Sequence, residues 1–164
     1  MASDRSRALV DLARRRQPHS AVVADTLHLP HRDAAFDFAI AIAVVHHLST
    51  PRRRVEALGA ILRAVRGQVL VFVWALEQGG SRRGWHVGHD PDVMVPWVVP
   101  GGPSHPGRAD RTYHRFYHLY REGELERDIE AARGTVLRSG YDRDNWWAIA
   151  TRRDGPTPSP SSPH

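Results

Sequence analysis

Apolar positions along this chain fall into a few dense runs, and the spacing within each run changes from one segment to the next. Leu9, Leu12 and Ala13 recur at helical intervals behind Ser3 and Asp4, and Arg14, Arg15 and Arg16 follow. Positive charge suits the carboxyl end of a helix dipole, so the pattern predicts a first helix that starts near Ser3-Asp4. A short strand is predicted at 21–24, ending on Asp25. An apolar run of eight residues spans 38–45. It predicts a strand at about 38–43 that is buried on both faces, as in a parallel sheet covered by helices. Thr50 is placed to cap the next helix and Pro51 to occupy its first position, where a missing N–H costs nothing. The inner stripe of that helix is Val55, Leu58, Ile61, Leu62 and Val65, and a third buried strand is predicted at 69–74. Strand, helix and strand joined by short links form a βαβ unit, so the fold class is α/β with a parallel sheet.

The second half of the chain is less regular. Residues 78–111 hold several Gly and Pro and little periodicity, which predicts a functional insertion or a lid. A helix is expected at about 122–133 and strands at 135–139 and 146–151, with 141–145 as the turn of a β-hairpin. From about Arg153 the chain is rich in Gly, Pro, Ser and Thr, which predicts one domain over 1–152 followed by a disordered tail. No internal repeat is visible.

Composition narrows the function classes. The chain has 164 residues and is 41% hydrophobic, enough for one packed core. No apolar run approaches the roughly 20 residues that a membrane-spanning helix needs, and the start of the sequence does not read as a secretory signal. The absence of cysteine excludes disulfides, thiolate zinc sites and cysteine nucleophiles. All 23 basic residues are arginine, and they outnumber the acids to give a net charge of +5. Arginine is suited to bidentate contact with phosphate and carboxylate, so a nucleic-acid partner is one reading of this charge and a solvated basic surface the other.

Candidate chemistry sits at the predicted strand ends. In an open α/β sheet, ligands bind beyond the carboxyl ends of the strands. Asp25 ends one strand and Asp4 lies just before a helix. Either can accept hydrogen bonds from a nucleoside, or serve only as a turn residue and a cap. His46 and His47 follow directly on a buried strand, which puts them at the same rim. His86, His89 and Asp90 share a Gly-rich stretch without further metal ligands in pattern, and His114 and His118 surround residues that read poorly as a metal helix; no metal site is expected. Tyr113, Phe116, Tyr117 and Tyr120 interleave with Arg111, Arg115 and Arg121. That pattern suits bases and phosphates, and equally a strip packed on the sheet.

Several stretches together resemble one family. They are Ser3-Asp4-Arg5-Ser6, Val23-Ala24-Asp25, Ala41-Ile42-Ala43-Val44-Val45-His46-His47-Leu48-Ser49-Thr50, Val73-Trp74-Ala75-Leu76-Glu77-Gln78, Asp92-Val93-Met94-Val95-Pro96-Trp97, the run from Tyr113 to Leu125, and Gly140-Tyr141-Asp142-Arg143-Asp144-Asn145-Trp146-Trp147. They resemble the S-adenosylmethionine-dependent tRNA wobble-uridine methyltransferases of fungi and the methyltransferase half of the animal AlkB-type tRNA enzyme. The resemblance implies a class I, Rossmann-like methyltransferase sheet with a C-terminal β-hairpin, and a cytoplasmic or nuclear address. The implied activity is formation of the methyl ester of carboxymethyluridine at the tRNA wobble position. The implied cofactor is S-adenosyl-L-methionine, and the implied partners are the tRNA anticodon stem-loop and a small zinc-binding activator subunit. By the same resemblance, Asp4, Asp25, Thr26, Leu27, Ala43 and Val44 hold the cofactor. His46, His47 and Arg115 serve the reacting carboxylate, and Trp97, His114, Tyr117 and Asn145 face the substrate.

The chain also departs from that family. The family has a strand and a glycine-rich turn before the position where this sequence begins, and no glycine precedes Gly59 here. The expectation is an N-terminally truncated sheet that lacks its first strands, with the 21–24 strand unpaired or re-paired out of order. The alternative to an active methyltransferase is then a non-catalytic RNA- or partner-binding member of the family; a small-molecule methyltransferase of the same fold is the third reading.

Overall fold

The protein is described here from a computed structural model, over residues 1–16, 20–79, 83–100 and 109–153. In chain order the elements are β1 (Ala2–Asp4), α1 (Arg7–Arg16), β2 (Ala21–Val23), β3 (Phe36–Ile42), a 3-10 turn (Val45–His47), α2 (Pro51–Ala64), β4 (Val65–Trp74), β5 (Asp92–Val99), β6 (Arg111–His118), α3 (Glu124–Ala131), β7 (Gly134–Asp142) and β8 (Asn145–Arg152). The strands form a four-stranded sheet in the order β3-β4-β8-β7, a parallel pair β1–β2 and an antiparallel ribbon β5–β6.

The βαβ unit read from the sequence is present. β3 and β4 are parallel, with Ala39 opposite Val69 and Ala41 opposite Val71, and α2 crosses between them. Thr50 caps α2 as expected: its hydroxyl oxygen accepts from the Arg53 N–H at 3.3 Å, and Pro51 sits in the first turn. Leu58, Ile61 and Leu62 of α2 pack with Val69, Val71 and Val73 of β4 and with Leu125 and Ile129 of α3. The C-terminal hairpin is also present, β7 and β8 pairing antiparallel beside β4. Its two-residue turn places Arg143 at φ 45° and Asp144 at φ 65°, the left-handed pair that matches the twist of a tight hairpin. Gly134 is required where β7 leaves α3, because a Cβ there would lie 2.6 Å from a methyl of Ile129.

Four expectations are corrected. Ser3 and Asp4 belong to β1, not to a helix start; α1 begins at Arg7, with the Ser6 hydroxyl accepting from the Leu9 N–H. Only Val10 of α1 is buried, and Leu9 and Leu12 face outward. The run that became β3 is not covered on both faces: Phe38, Ile40 and Ile42 are 57–67% exposed, while Ala41 is buried. The 78–111 segment is not without regular structure, because it contains β5. Finally, β2 is not left without a neighbour. β1 pairs with it in register, Ala2 opposite Ala21 and Asp4 opposite Val23. Among the described residues no ladder joins the β1–β2 pair to β3. The tail expected from about Arg153 lies, from residue 154 on, outside the described residues.

A buried ionic network fixes the base of the ribbon. Arg54 of α2, 3% exposed, reaches Glu124 at 3.3 Å and Asp128 at 3.4 Å on α3. His118 at the end of β6 bridges Asp92, at the start of β5, and Glu124, both at 2.7 Å. The Tyr120 hydroxyl donates to Asp128 at 3.1 Å. Charges removed from water this far are stable only when each has a partner, and here each does.

Candidate cofactor cavity and rim

Between β1–β2 and the outer edge of β3 lies a cavity of about 770 Å³, within the size range of small-molecule and cofactor sites. Asp4, Asp25, Thr26, Ala43, Val44 and His47 all line it, so six residues expected at the site are brought together. Both aspartates also do local work. Asp4 accepts from the Ser6 N–H at 2.7 Å, and Asp25 accepts from the Leu27 N–H at 3.0 Å. Cap and ligand readings therefore coexist, since each of these bonds uses one carboxylate oxygen. The other oxygen of Asp25 faces Arg5 at 3.5 Å, a largely exposed pair of modest strength. Ala43 closes β3 in the left-handed region, at φ 57°, with its N–H donating to the Phe72 carbonyl. A side-chain-bearing residue held there is strained, and such strain collects at ligand sites. Leu27 is the exception among the expected cofactor residues. It faces a separate concavity beside α2, together with Arg52 and Arg63.

The two histidines have different roles. His46 is fully buried, and its Nδ1 accepts from the Trp74 N–H at 3.0 Å. The proton of the neutral ring therefore sits on Nε2, which has no hydrogen-bond partner. Burial, helped by His47 and His118, lowers its pKa to about 3, so it is neutral at physiological pH. The expectation that His46 faces substrate is corrected: it is a wedge behind the rim that ties the 3-10 turn to β4. His47 is half-buried and lines the cavity. Its Nδ1 donates to the Phe116 carbonyl at 3.0 Å, which fixes the ring and turns Nε2 away from that bond.

Other expected substrate residues are dispersed. Tyr117 is 8% exposed, its ring stacked on Trp74 at 4.4 Å and met by His47 at 4.4 Å. It supports the histidine and offers no open face to a base. Trp97 and Arg115 lie farther out on the ribbon, with the Arg115 guanidinium 3.7 Å from the Trp97 ring centroid. His114 pairs with Pro96 and so projects from the opposite face of the ribbon. Asn145 opens β8, and its amide donates to the carbonyls of Asp142 and Arg143 across the hairpin turn. His86 and His89 bond to each other's turn, the His86 N–H donating to His89 Nδ1.

Sequence reading missed Trp74 as the floor beneath Tyr117, Arg5 in the cavity wall, and the network around Arg54. A signal for Arg54 existed. It stands four residues before Leu58 and seven before Ile61, on the inner stripe of α2, where a charge is unexpected.

Residues 1–73 match the model of a methyltransferase domain. The chain is 42% identical over 165 aligned residues to the tRNA (carboxymethyluridine(34)-5-O)-methyltransferase of Schizosaccharomyces pombe, covering 93% of this chain and 72% of that one. To the protein of the same name from Saccharomyces cerevisiae it is 37% identical, covering 93% and 76%. The chain belongs to the tRNA carboxymethyluridine methyltransferase family. The longer family member alkbh8 of Xenopus tropicalis is 32% identical, and there the match covers 89% of this chain and 31% of the relative. Solved structures similar to this chain include an S-adenosylmethionine-dependent methyltransferase from Clostridium acetobutylicum, at TM-score 0.68 and 11% identity, covering 92% and 74% of the two chains. Another, from Methanosarcina mazei, matches at TM-score 0.66 and 13% identity, covering 92% and 80%. These likenesses establish the class I methyltransferase fold for this family member, as expected from its sequence.

Proposed function

We propose that this chain is an S-adenosylmethionine-dependent methyltransferase acting on the carboxylate of carboxymethyluridine at the tRNA wobble position. The observation that carries the reading is the convergence of Asp4, Asp25, Ala43 and His47 on one cavity at the strand ends, in a chain of this family. The donor set fits the nucleoside end of the cofactor. Two carboxylates at adjacent strand ends suit ribose hydroxyls and an adenine amino group, and Thr26, Ala43 and Val44 give a small-residue wall. Among the described residues no glycine lines the cavity, and Arg5 is the one guanidinium in its wall, facing Asp25 at 3.5 Å. S-adenosylmethionine supplies the electrophilic methyl group when bound.

The residues of this chain then have positioning tasks. A carboxylate is ionised at neutral pH and is its own nucleophile, so no strong base is needed. His47, oriented by the Phe116 carbonyl, places Nε2 at the cavity edge; because Nδ1–H is committed to that carbonyl, the ring holds the reacting carboxylate in its doubly protonated form, in which Nε2 also donates. His46 packs behind that edge, its neutral ring against His47, Trp74 and Tyr117. Arginines of the ribbon contact RNA phosphates. We also propose a small zinc-binding activator subunit as partner. The exposed Leu9 and Leu12 of α1 and Val23 of β2 support a protein contact on that side.

A second reading, RNA or partner binding without methyl transfer, is favoured by the separate β1–β2 pair and by the engagement of Asp25 with Arg5. Calorimetric titration with S-adenosylmethionine, with and without the activator subunit, separates the two. One-site binding that Asp25→Asn weakens, followed by ester formation on carboxymethyluridine tRNA, supports the methyltransferase. A folded chain that binds no cofactor in either condition leaves the second reading.

A further inference from the structure

The β5–β6 ribbon has two unlike faces. Its register puts Val93 opposite Tyr117, Val95 opposite Arg115, Trp97 opposite Tyr113 and Val99 opposite Arg111, all on one face. The inner half of that face is closed: Val93, Val95 and Tyr117 pack against Trp74 and Leu76. The outer half is open. Trp97 is 50% exposed and Tyr113 47%, and Arg111 and Arg115 stand beside them with no carboxylate partner among the described residues. No acidic side chain lies on this face. Arg115 covers one side of the Trp97 ring, which leaves the other side and the guanidinium plane for a further flat group. The opposite face carries Asp92, Met94, Pro96 and Val98 against His118, Phe116, His114 and Thr112, and has no arginine.

We propose that the outer half of the arginine-bearing face is a stacking platform for unpaired RNA nucleotides that flank the one entering the rim at His47. Two exposed rings across one ladder, each next to a guanidinium, suit successive bases with their phosphates, because every base has a stacking face and a neighbouring anion. The strip is continuous with the site: Tyr117, its innermost residue, touches His47. Charge favours an anionic partner such as RNA over an apolar protein surface, since the charged side chains that the register places on this face are both arginines. The inference deepens the proposed substrate reading and rests on it for the identity of the RNA.

The test is fluorescence anisotropy of the full chain with a labelled RNA stem-loop, and with a fully paired duplex of equal length, at several salt concentrations. The expected result is preference for the stem-loop. Trp97→Ala and Tyr113→Ala should each weaken it roughly 5- to 100-fold, with substantial recovery in Trp97→Phe and Tyr113→Phe. Arg115→Ala should also lower the slope of log affinity against log salt by about one. Met94→Ala and His114→Ala, on the other face, should change little. Equal losses from both faces, no loss from either ring, or loss of activator-subunit binding with RNA affinity intact would overturn the platform. Methyl transfer reports separately. A chain that binds no S-adenosylmethionine yet shows the one-faced RNA profile keeps the platform and loses the enzymatic reading; an active enzyme with unchanged RNA affinity in the ring variants does the reverse.

Discussion

β3 and β4 are neighbours in the same sheet, nearly equally apolar in sequence, and quite different in environment. β4 lies between β3 and β8, and Val69, Val71 and Val73 on its inner face are all within 1% of full burial beneath α2 and α3. β3 pairs only with β4 among the described residues, and its alternate residues Phe38, Ile40 and Ile42 are exposed. An apolar run states what a strand can bury. What it does bury depends on the elements packed over each face. The same contrast separates the two halves of the molecule: ionic and apolar contacts brace β4, α2, α3 and the ribbon base, while the candidate cavity opens along the less covered edge.

The largest effect that tests this contrast is expected at Arg54. Arg54→Ala removes the cation shared by Glu124 and Asp128 while leaving both carboxylates in place, and should cost about 3–5 kcal/mol in urea denaturation. A loss below about 1 kcal/mol would show that water reaches the network and that this side is no better braced than the other.

Next come the buried histidines, which respond to pH with opposite signs. His46 is depressed to about 3, so the unfolded chain binds its proton first; stability is intact above about 6.5, and about 2 kcal/mol should be lost by pH 5. His46→Asn should flatten that acid limb. His118 behaves in reverse. Burial pulls its pKa down, but the hydrogen bonds to Glu124 and Asp92 outweigh burial and raise it. Its contribution is therefore fully present below the ordinary histidine value and declines as pH rises through the raised one. His118→Gln should remove this alkaline decline, and histidine NMR titration of the wild type should show ring 118 protonating above, and ring 46 far below, the ordinary range.

The sequence-based reading succeeded where local rules and tertiary packing agree. Thr50-Pro51 and the Leu58, Ile61 and Leu62 part of the α2 stripe join a local signal to a buried face, whereas Val65, expected on that stripe, opens β4 and Val55 is only half-buried. It failed where a residue's surroundings come from distant chain. Ser3-Asp4 has the polar look of a cap, yet Ala2–Asp4 becomes a strand because β2 offers it a parallel edge. Adjacent His46 and His47 are indistinguishable by type and spacing. Only the Trp74 N–H on one and the Phe116 carbonyl on the other, from strands 28 and 69 residues away, divide them into wedge and rim. Tyr117 and Tyr113 likewise share one aromatic-arginine pattern, and burial of Tyr117 against Trp74 separates it from the exposed Tyr113.

The smallest expected effect is the one that bears most directly on the open edge. Ile40→Thr removes a side chain that is 59% exposed, so little apolar area returns to water and no cavity forms. Threonine keeps the β-branch that suits a strand. The cost should stay within about 0.5 kcal/mol, the range of ordinary surface substitutions. Val71→Thr, one strand inward, puts a hydroxyl into a site 1% exposed and should cost about 1–3 kcal/mol. Similar values for the two variants would mean that the outer face of β3 is covered in solution, by a partner or by ligand-induced closure of β1–β2 over the cavity. Repeating the Ile40→Thr measurement with S-adenosylmethionine present then distinguishes those, because only closure would tie the cost at Ile40, which lines the cavity, to ligand.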